Sequence, residues 1–281
     1  MTILITGARG TVGRGVLHRL HTAGHSLHAA GHSLRASSRE PERLAVPDGV
    51  ETALLDLAKP DTFGAALRGV TRVFLYAEPA GVDEFVRAAE TAGVRHIVLL
   101  SSSAALSPTA LDEPLGRHHV LVERALLSSA IPVTILRPDA FASNAFGWLP
   151  AIQAGGPVEQ AYPDANVAPI HEDDIADVAV LALTGDRLAG QAITLTGPRS
   201  ISLREQIGVI AGRLGRDIAV RELTRTEAEE AMGQYMPAEF VASLLDFWAG
   251  ATAGPAAVHD AERVTGTPAR TFEQWVDEHV R

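Results

Sequence analysis

The sequence contains no cysteine. Disulfides, thiolate catalysis and cysteine-ligated metals are therefore excluded. Lysine is almost absent as well: Lys59 is the only one among 24 basic residues. Tyrosine is limited to Tyr76, Tyr162 and Tyr235, and none has a lysine four positions later. No apolar run approaches the roughly 18 residues of a membrane span, and no charged-then-apolar leader opens the chain. We expect neither a span nor a secretory signal, and a cytoplasmic address. Positive charge is also in deficit, with 24 Lys+Arg against 34 Asp+Glu and a net charge of −10. Direct nucleic-acid binding needs a basic footprint, so it is not expected.

What is present is a chain of 281 residues. That length predicts about two domains, or one domain with an appended lobe. A globular chain of this size buries roughly three quarters of its unfolded surface and needs no staples. With 46% hydrophobic and 21% charged residues, disorder is excluded. The apolar run Thr2-Ile3-Leu4-Ile5-Thr6 leads into Gly7-Ala8-Arg9-Gly10-Thr11-Val12-Gly13, and a helical stretch follows. Further β-like runs stand at Arg72–Tyr76, His96–Leu100, Val133–Leu136 and Ala192–Thr196. Helical patterns such as Asp83–Ala92 and His118–Ser128 lie between them. This alternation predicts an α/β fold, a doubly wound parallel sheet of Rossmann-like type. The runs are nearly all apolar, as strands covered on both faces must be.

A local repeat interrupts the pattern: Ala23-Gly24-His25-Ser26-Leu27 returns as Ala30-Gly31-His32-Ser33-Leu34. Gly, His and Ser are mediocre helix formers. The block is read as a bulge, with the second strand counted from His32. From about Phe141 the pattern loosens, and residues 144–169 are rich in Gly, Pro and small side chains. Leu203–Leu214, Thr226–Gly250 and Phe272–His279 read as helices. We therefore assign residues 1–140 plus 170–200 to a dinucleotide-binding domain. Residues 141–169 plus 201–281 are assigned to a smaller C-terminal substrate lobe capping the carboxyl edge of the sheet, where open parallel sheets bind ligands.

Gly7, Gly10 and Gly13 sit where a dinucleotide loop needs them. The first permits the tight turn, the second lets backbone approach a pyrophosphate, and the third lets helix pack on strand. Free N–H groups at the start of the next helix would then face the phosphates. Gly7, Arg9, Gly10, Thr11, Val12 and Gly13 are thus the candidate phosphate-binding residues. Ser37-Ser38-Arg39-Glu40 ends the second strand. Arg39 suits a 2′-phosphate, with Ser38 as a second donor, so NADP(H) is favoured over NAD(H). Glu40 counts the other way but lies past the strand. Leu54-Leu55-Asp56-Leu57 reads as the end of a third strand, with Asp56 as acceptor for the adenine amino group and Leu57 beside it. Tyr76 and Ala77 end the fourth strand and would run beside ribose and phosphates. Glu78 would repel phosphate and is expected to point away or to make a capping bond.

Taken together, the chain resembles the NmrA-like branch of the atypical short-chain dehydrogenases/reductases over nearly all its length. The resemblance rests on Thr6-Gly7-Ala8-x-Gly10-x-x-Gly13, Asp56-Leu57 and Ser101-Ser102-Ser103. It continues in His119-x-x-x-Glu123, Ile135-Leu136-Arg137-Pro138-x-x-Phe141-x-x-Asn144, and His171-Glu172-Asp173-Asp174-Ile175-Ala176-Asp177. Phe272-Glu273-Gln274-Trp275 closes it. The resemblance implies an NAD(P)-binding protein in which Ser103 matches the superfamily's catalytic serine, with Ser101 near the cofactor. The superfamily also uses Tyr-x-x-x-Lys, the tyrosine as proton donor and the lysine holding the ribose. Here Leu115 and His119 occupy those positions, and no other tyrosine replaces the pair. His119 then inherits the ribose-binding half of the lysine's role and, as a second catalytic candidate beside Ser103, can shuttle protons.

No metal is expected. Consecutive acids at a helix start, as in Glu172-Asp173-Asp174, do not converge on one ion and suit a helix cap. No Gly-x-Ser-x-Gly elbow is present. Arg137-Pro138 reads as a strand terminator with a packed arginine. Phe141, Asn144, Phe146 and Trp148 are the candidate pocket lining.

Two readings follow. In the first, the chain is an NAD(P)H-dependent reductase whose acceptor is a quinone or a related aromatic or conjugated compound. Hydride transfer to a quinone yields an anion stable near pH 7, so no strong acid is required at that moment. Arginine in place of lysine, with abundant Ala and Gly, is the usage of a GC-rich bacterium, which points to aromatic quinones of secondary metabolism and antibiotic biosynthesis. The hydroquinone can go on to react with oxygen. In the second reading, the chain senses NAD(P) without turnover and acts through a protein partner. The sequence leaves monomer and homo-oligomer both open.

Overall fold

The computed structural model describes residues 2–23 and 33–281. The interior of the repeated block, and with it the expected bulge, lies outside the described residues. In chain order the elements are β1 Thr2–Ile5, α1 Thr11–Thr22, β2 Ser33–Ser38, β3 Glu51–Leu54, α2 Phe63–Ala66, β4 Val70–Tyr76, α3 Val82–Ala92, β5 His96–Leu100, α4 Pro114–Leu127 and β6 Val133–Pro138. They continue with α5 Leu149–Gln153, β7 Val158–Ala161, β8 Asn166–Val167, α6 Glu172–Thr184, β9 Ala192–Leu195, β10 Ile201–Ser202 and α7 Leu203–Leu214. The last are β11 Val220–Leu223, α8 Arg225–Met232, α9 Ala238–Gly250, α10 Glu262–Thr265 and α11 Phe272–His279.

The chain divides into two compact units. The first holds residues 1–111, 116–138 and 172–194, and the second residues 112–115, 139–171 and 195–281. Residues 112–115, 139–140, 170–171 and 195–200 thus group with the second unit, although the sequence boundaries place them in the nucleotide-binding part.

The first unit carries a seven-stranded sheet ordered β3-β2-β1-β4-β5-β6-β9. Every pair from β3 to β6 is parallel. The strands read as apolar runs because both faces are covered: Ile3, Leu4, Ile5, Ile97, Val98 and Leu99 are wholly buried. Strand order reverses between β1 and β4, so the crevice outside their carboxyl ends is the place for a ligand in such a sheet. Helix α1 turns Val12, Val16, Leu17 and Leu20 inward at helical spacing. It is held to α6 by Arg19, which pairs with Asp177 at 2.5 Å and Asp173 at 2.8 Å. Asp173 therefore closes a helix–helix contact.

Two local expectations are corrected. The third strand is Glu51–Leu54, ending before Asp56. Leu55 and Leu57 turn into the core, at 4% and 2% exposure, and Asp56 accepts the N–H of Ala58, which bends the chain. The stretch Thr226–Gly250 holds two helices separated at Gly233–Pro237, because Pro237 has no N–H to continue a helix.

The second unit packs around Trp275, which is fully buried beside Phe272, Ile207 and Ile210. Its helices α7, α8 and α11 each start with a capping box, on Ser202, Thr224 and Thr271. Strand β7 pairs with β11 and β8 with β10. Among the described residues no helix is long and apolar enough to cross a membrane.

Candidate active site

The glycine loop follows β1, and each glycine has a distinct reason. Gly7 has φ +60°, and a Cβ there would meet the Tyr76 ring at 2.9 Å. A Cβ on Gly13 would sit 2.5 Å from the Gly7 carbonyl oxygen, so the helix packs this closely only without a side chain. Gly10 meets only that oxygen, at 3.3 Å, and otherwise faces open space. Gly10 precedes α1 in extended backbone with no side-chain cap, and the first turn of α1 holds no acid. Among the described residues nothing accepts the N–H groups of Thr11, Val12 or Gly13. An uncapped helix N-terminus beneath an open glycine is an arrangement that can receive an anionic group such as a phosphate. Val12 itself is 4% exposed, so its side chain is core and only its N–H faces the site.

At the end of β2, Arg39 is exposed and has no ion pair among the described residues. The Ser38 hydroxyl accepts the Glu40 N–H at 2.9 Å, which leaves its own proton available to donate. Glu40 is bound on both sides. Arg9 reaches it at 2.7 Å and Arg43 at 3.1 Å. The acid that argued against a 2′-phosphate is thus already neutralised. Tyr76, half-buried against Gly7, has its hydroxyl pKa raised by burial and by Glu78, while the Arg39 charge pulls it down. Glu78 accepts the Ala80 N–H at 3.0 Å, a local capping bond.

Three residues at this edge are also engaged by the protein itself. Leu57 is core, so its side chain does not face a nucleotide. Asp56 has one oxygen on the Ala58 N–H and the other 3.4 Å from Lys59, which limits it as an adenine acceptor. Ala77 has spent both backbone groups, its N–H on the Leu100 carbonyl and its carbonyl on His118 Nε2 at 3.1 Å.

The chemistry-bearing residues follow β5. Ser101, 4% exposed, donates its hydroxyl to Glu123 at 2.6 Å. It is therefore committed to the interior rather than offered to a cofactor. The Ser102 hydroxyl accepts the Ala104 N–H and so opens the short turn Ser103–Leu106, with Ser103 half-buried at its start. On α4, His119 Nδ1 is buried and has no hydrogen-bond partner among the described residues. Burial, reinforced by neighbouring His118 and opposed by Glu123, pushes the His119 pKa down to about 4. The ring is neutral at pH 7. The Glu123–Arg137 pair is the feature the sequence reading missed. Its one signal was the i, i+4 spacing of His119 and Glu123; the partner on β6 lies too far along the chain to be read.

The expected pocket residues belong to the second unit. Phe146 packs within it at a tilt against Trp275, centroids 4.8 Å apart, and edge-on to His279 at 5.7 Å. The Trp148 indole N–H donates to buried Gln160 at 2.9 Å. Both rings are held by their own unit. Asn144 is exposed, and Phe141 is half-buried and bridges to Ile170.

Fold and loop define a dinucleotide-binding protein, and comparison with known proteins narrows the class. A family model described as NAD(P)H-binding matches residues 7–186. A (4-alkanoyl-5-oxo-2,5-dihydrofuran-3-yl)methyl phosphate reductase of Streptomyces griseus is 39% identical over 99% of this chain and 98% of its own. An NAD(P)H azoreductase of Xenophilus azovorans is 32% identical over 99% and 98%. The fold matches an NADPH-dependent quinone oxidoreductase of Escherichia coli, solved with NADPH, with TM-score 0.83 at 21% identity over all of both chains. The chain belongs to the NAD(P)H-binding family, in its NmrA-like, atypical short-chain dehydrogenase/reductase branch, and is an NAD(P)H-dependent oxidoreductase.

Proposed function

We propose that the chain uses NADP(H) to reduce a small conjugated acceptor, a quinone or an unsaturated carbonyl compound. The observation that carries this is the state of the residue in the superfamily lysine's place. His119 is neutral at pH 7 and Leu115 replaces the tyrosine, so the site offers no ready proton donor. An acceptor that holds its own negative charge does not need one. A quinone does so as a phenolate, an unsaturated carbonyl as an enolate, and solvent supplies the proton afterwards. The substrate named for the Streptomyces relative has a ring double bond conjugated to a carbonyl, which is chemistry of this kind. An azo group is likewise a conjugated acceptor.

The nicotinamide cofactor supplies the hydride when bound. The loop from Gly7 to Gly13 holds its phosphates, and Arg39, with Ser38, reads the 2′-phosphate. His119 and Ser103 orient ribose and acceptor. Both similar reductases turn over substrate, which favours a catalyst over a sensor acting through a partner.

The test is NADPH oxidation against a quinone, a butenolide and a saturated ketone, with oxygen uptake recorded. Turnover of the first two and little of the third is expected. Turnover confined to the ketone would overturn the proposal.

A further inference from the structure

We propose that Glu123 is a positioning residue for His119, working through Ser101 and Arg137 to lock α4 onto the carboxyl ends of β5 and β6. Its catalytic meaning rests on the reading above, in which His119 belongs to the reductase site. Glu123 is 5% exposed. A buried carboxylate is costly unless its oxygens are fully bonded. Here Oε1 receives the Ser101 hydroxyl at 2.6 Å and Arg137 Nε at 2.9 Å, and Oε2 receives Arg137 Nη2 at 2.5 Å. The two Arg137 bonds form the planar fork that fixes direction as well as distance. An apolar pair would hold the helix as firmly. What the charged pair adds is a single allowed register.

That register matters because Ser101 and Arg137 are fixed by the sheet. Ser101 follows β5 directly and its N–H bonds the Leu136 carbonyl at 2.7 Å, while Arg137 lies within β6. His119 stands one turn before Glu123 on the same helical face. A second bond sits beside it: His118 Nε2–H donates to the Ala77 carbonyl, just past β4. One helix is thereby tied to three successive strand ends around His119. The titratable groups bearing on His119 are His118 and Glu123, and Arg137 compensates Glu123. With that charge compensated, burial keeps the His119 ring neutral at working pH.

The experiment compares the parent with Ser101→Ala and Arg137→Met. Readouts are the titration of the His119 ring by NMR in cofactor-free protein, NADPH affinity by fluorescence titration, and the melting profile. Arg137→Met leaves Glu123 uncompensated and should raise the His119 midpoint by about one pH unit or more. If that variant does not fold, Ser101→Ala removes only one of three donors and should move the midpoint the same way. Each folded variant should weaken NADPH binding about tenfold, the scale of one charge-assisted hydrogen bond. An unmoved His119 titration in the folded variants would overturn the proposal, whatever the enzyme does. A shifted titration with unchanged NADPH affinity would uphold the positioning role and remove His119 from the cofactor site.

Discussion

Gly10 and Gly13 lie three residues apart and do opposite work. Gly13 is a packing glycine, because any Cβ collides with the Gly7 carbonyl. Gly10 is an approach glycine, in extended backbone that valine also adopts. Gly10→Val should therefore fold with its melting profile nearly unchanged and lose NADPH binding. Gly13→Val should lower the melting temperature itself. Titration and melting of the two variants check this, and reversed behaviour would misplace the nucleotide. Arg39 makes a separate prediction. Arg39→Ala should weaken NADPH by about 1.5–3 kcal/mol, the range for a hydrogen bond to a charged group, and leave NADH nearly unchanged. Equal losses would show that Arg39 does not read the phosphate. The glycines were legible in the sequence because their roles depend on spacing along one turn. The commitment of Ser101 to Glu123 was not, since it depends on a residue more than twenty positions away.

At the scale of elements, polar bonds fix how strands and helices meet. At the opposite end of the sheet from α4's bolts, His96 on β5 is buried between Arg72 on β4 and Thr134 on β6. Thr134 donates its hydroxyl to the Leu188 carbonyl, so His96 Nε2–H donates to Thr134 and Nδ1 accepts from Arg72. This ring must be neutral, and burial, with the Arg72 charge, lowers its pKa to about 4. The unfolded chain takes up this proton near pH 6.5 and the native state only near pH 4. Stability from this group is thus whole above pH 6.5 and is lost as pH falls toward 4, by an amount on the order of 2–3 kcal/mol. Urea midpoints should fall over that window, and His96→Gln should remove part of the dependence. An identical fall in the variant would contradict the assignment. Strands β1, β4, β5 and β6 were legible because buried parallel strands are continuous apolar runs. The end of β3 was not, because Leu55 and Leu57, on either side of the bend at Asp56, continue the apolar pattern past the last strand residue, Leu54.

For the molecule as a whole, a chain without cysteine and with a single lysine has assembled a nucleotide-binding unit and dispensed with the usual acid. The fold class, the loop and the missing Tyr-x-x-x-Lys pair were all visible from residue order. The neutral state of His119 was not, because it comes from burial and from neighbouring His118, which together outweigh the opposing charge of Glu123. In the proposed reaction the acceptor supplies the charge-holding ability that this site lacks. The most direct measurement is kcat for a quinone and for a simple aliphatic ketone in the parent, His119→Ala and Ser103→Ala. Brisk quinone turnover and poor ketone turnover are expected in the parent. His119→Ala should act mainly on cofactor KM and Ser103→Ala mainly on kcat, each costing less than the roughly 10²–10⁴-fold of a lost general acid. Brisk ketone reduction that vanishes in His119→Ala would contradict the proposal, by showing that His119 is itself the general acid.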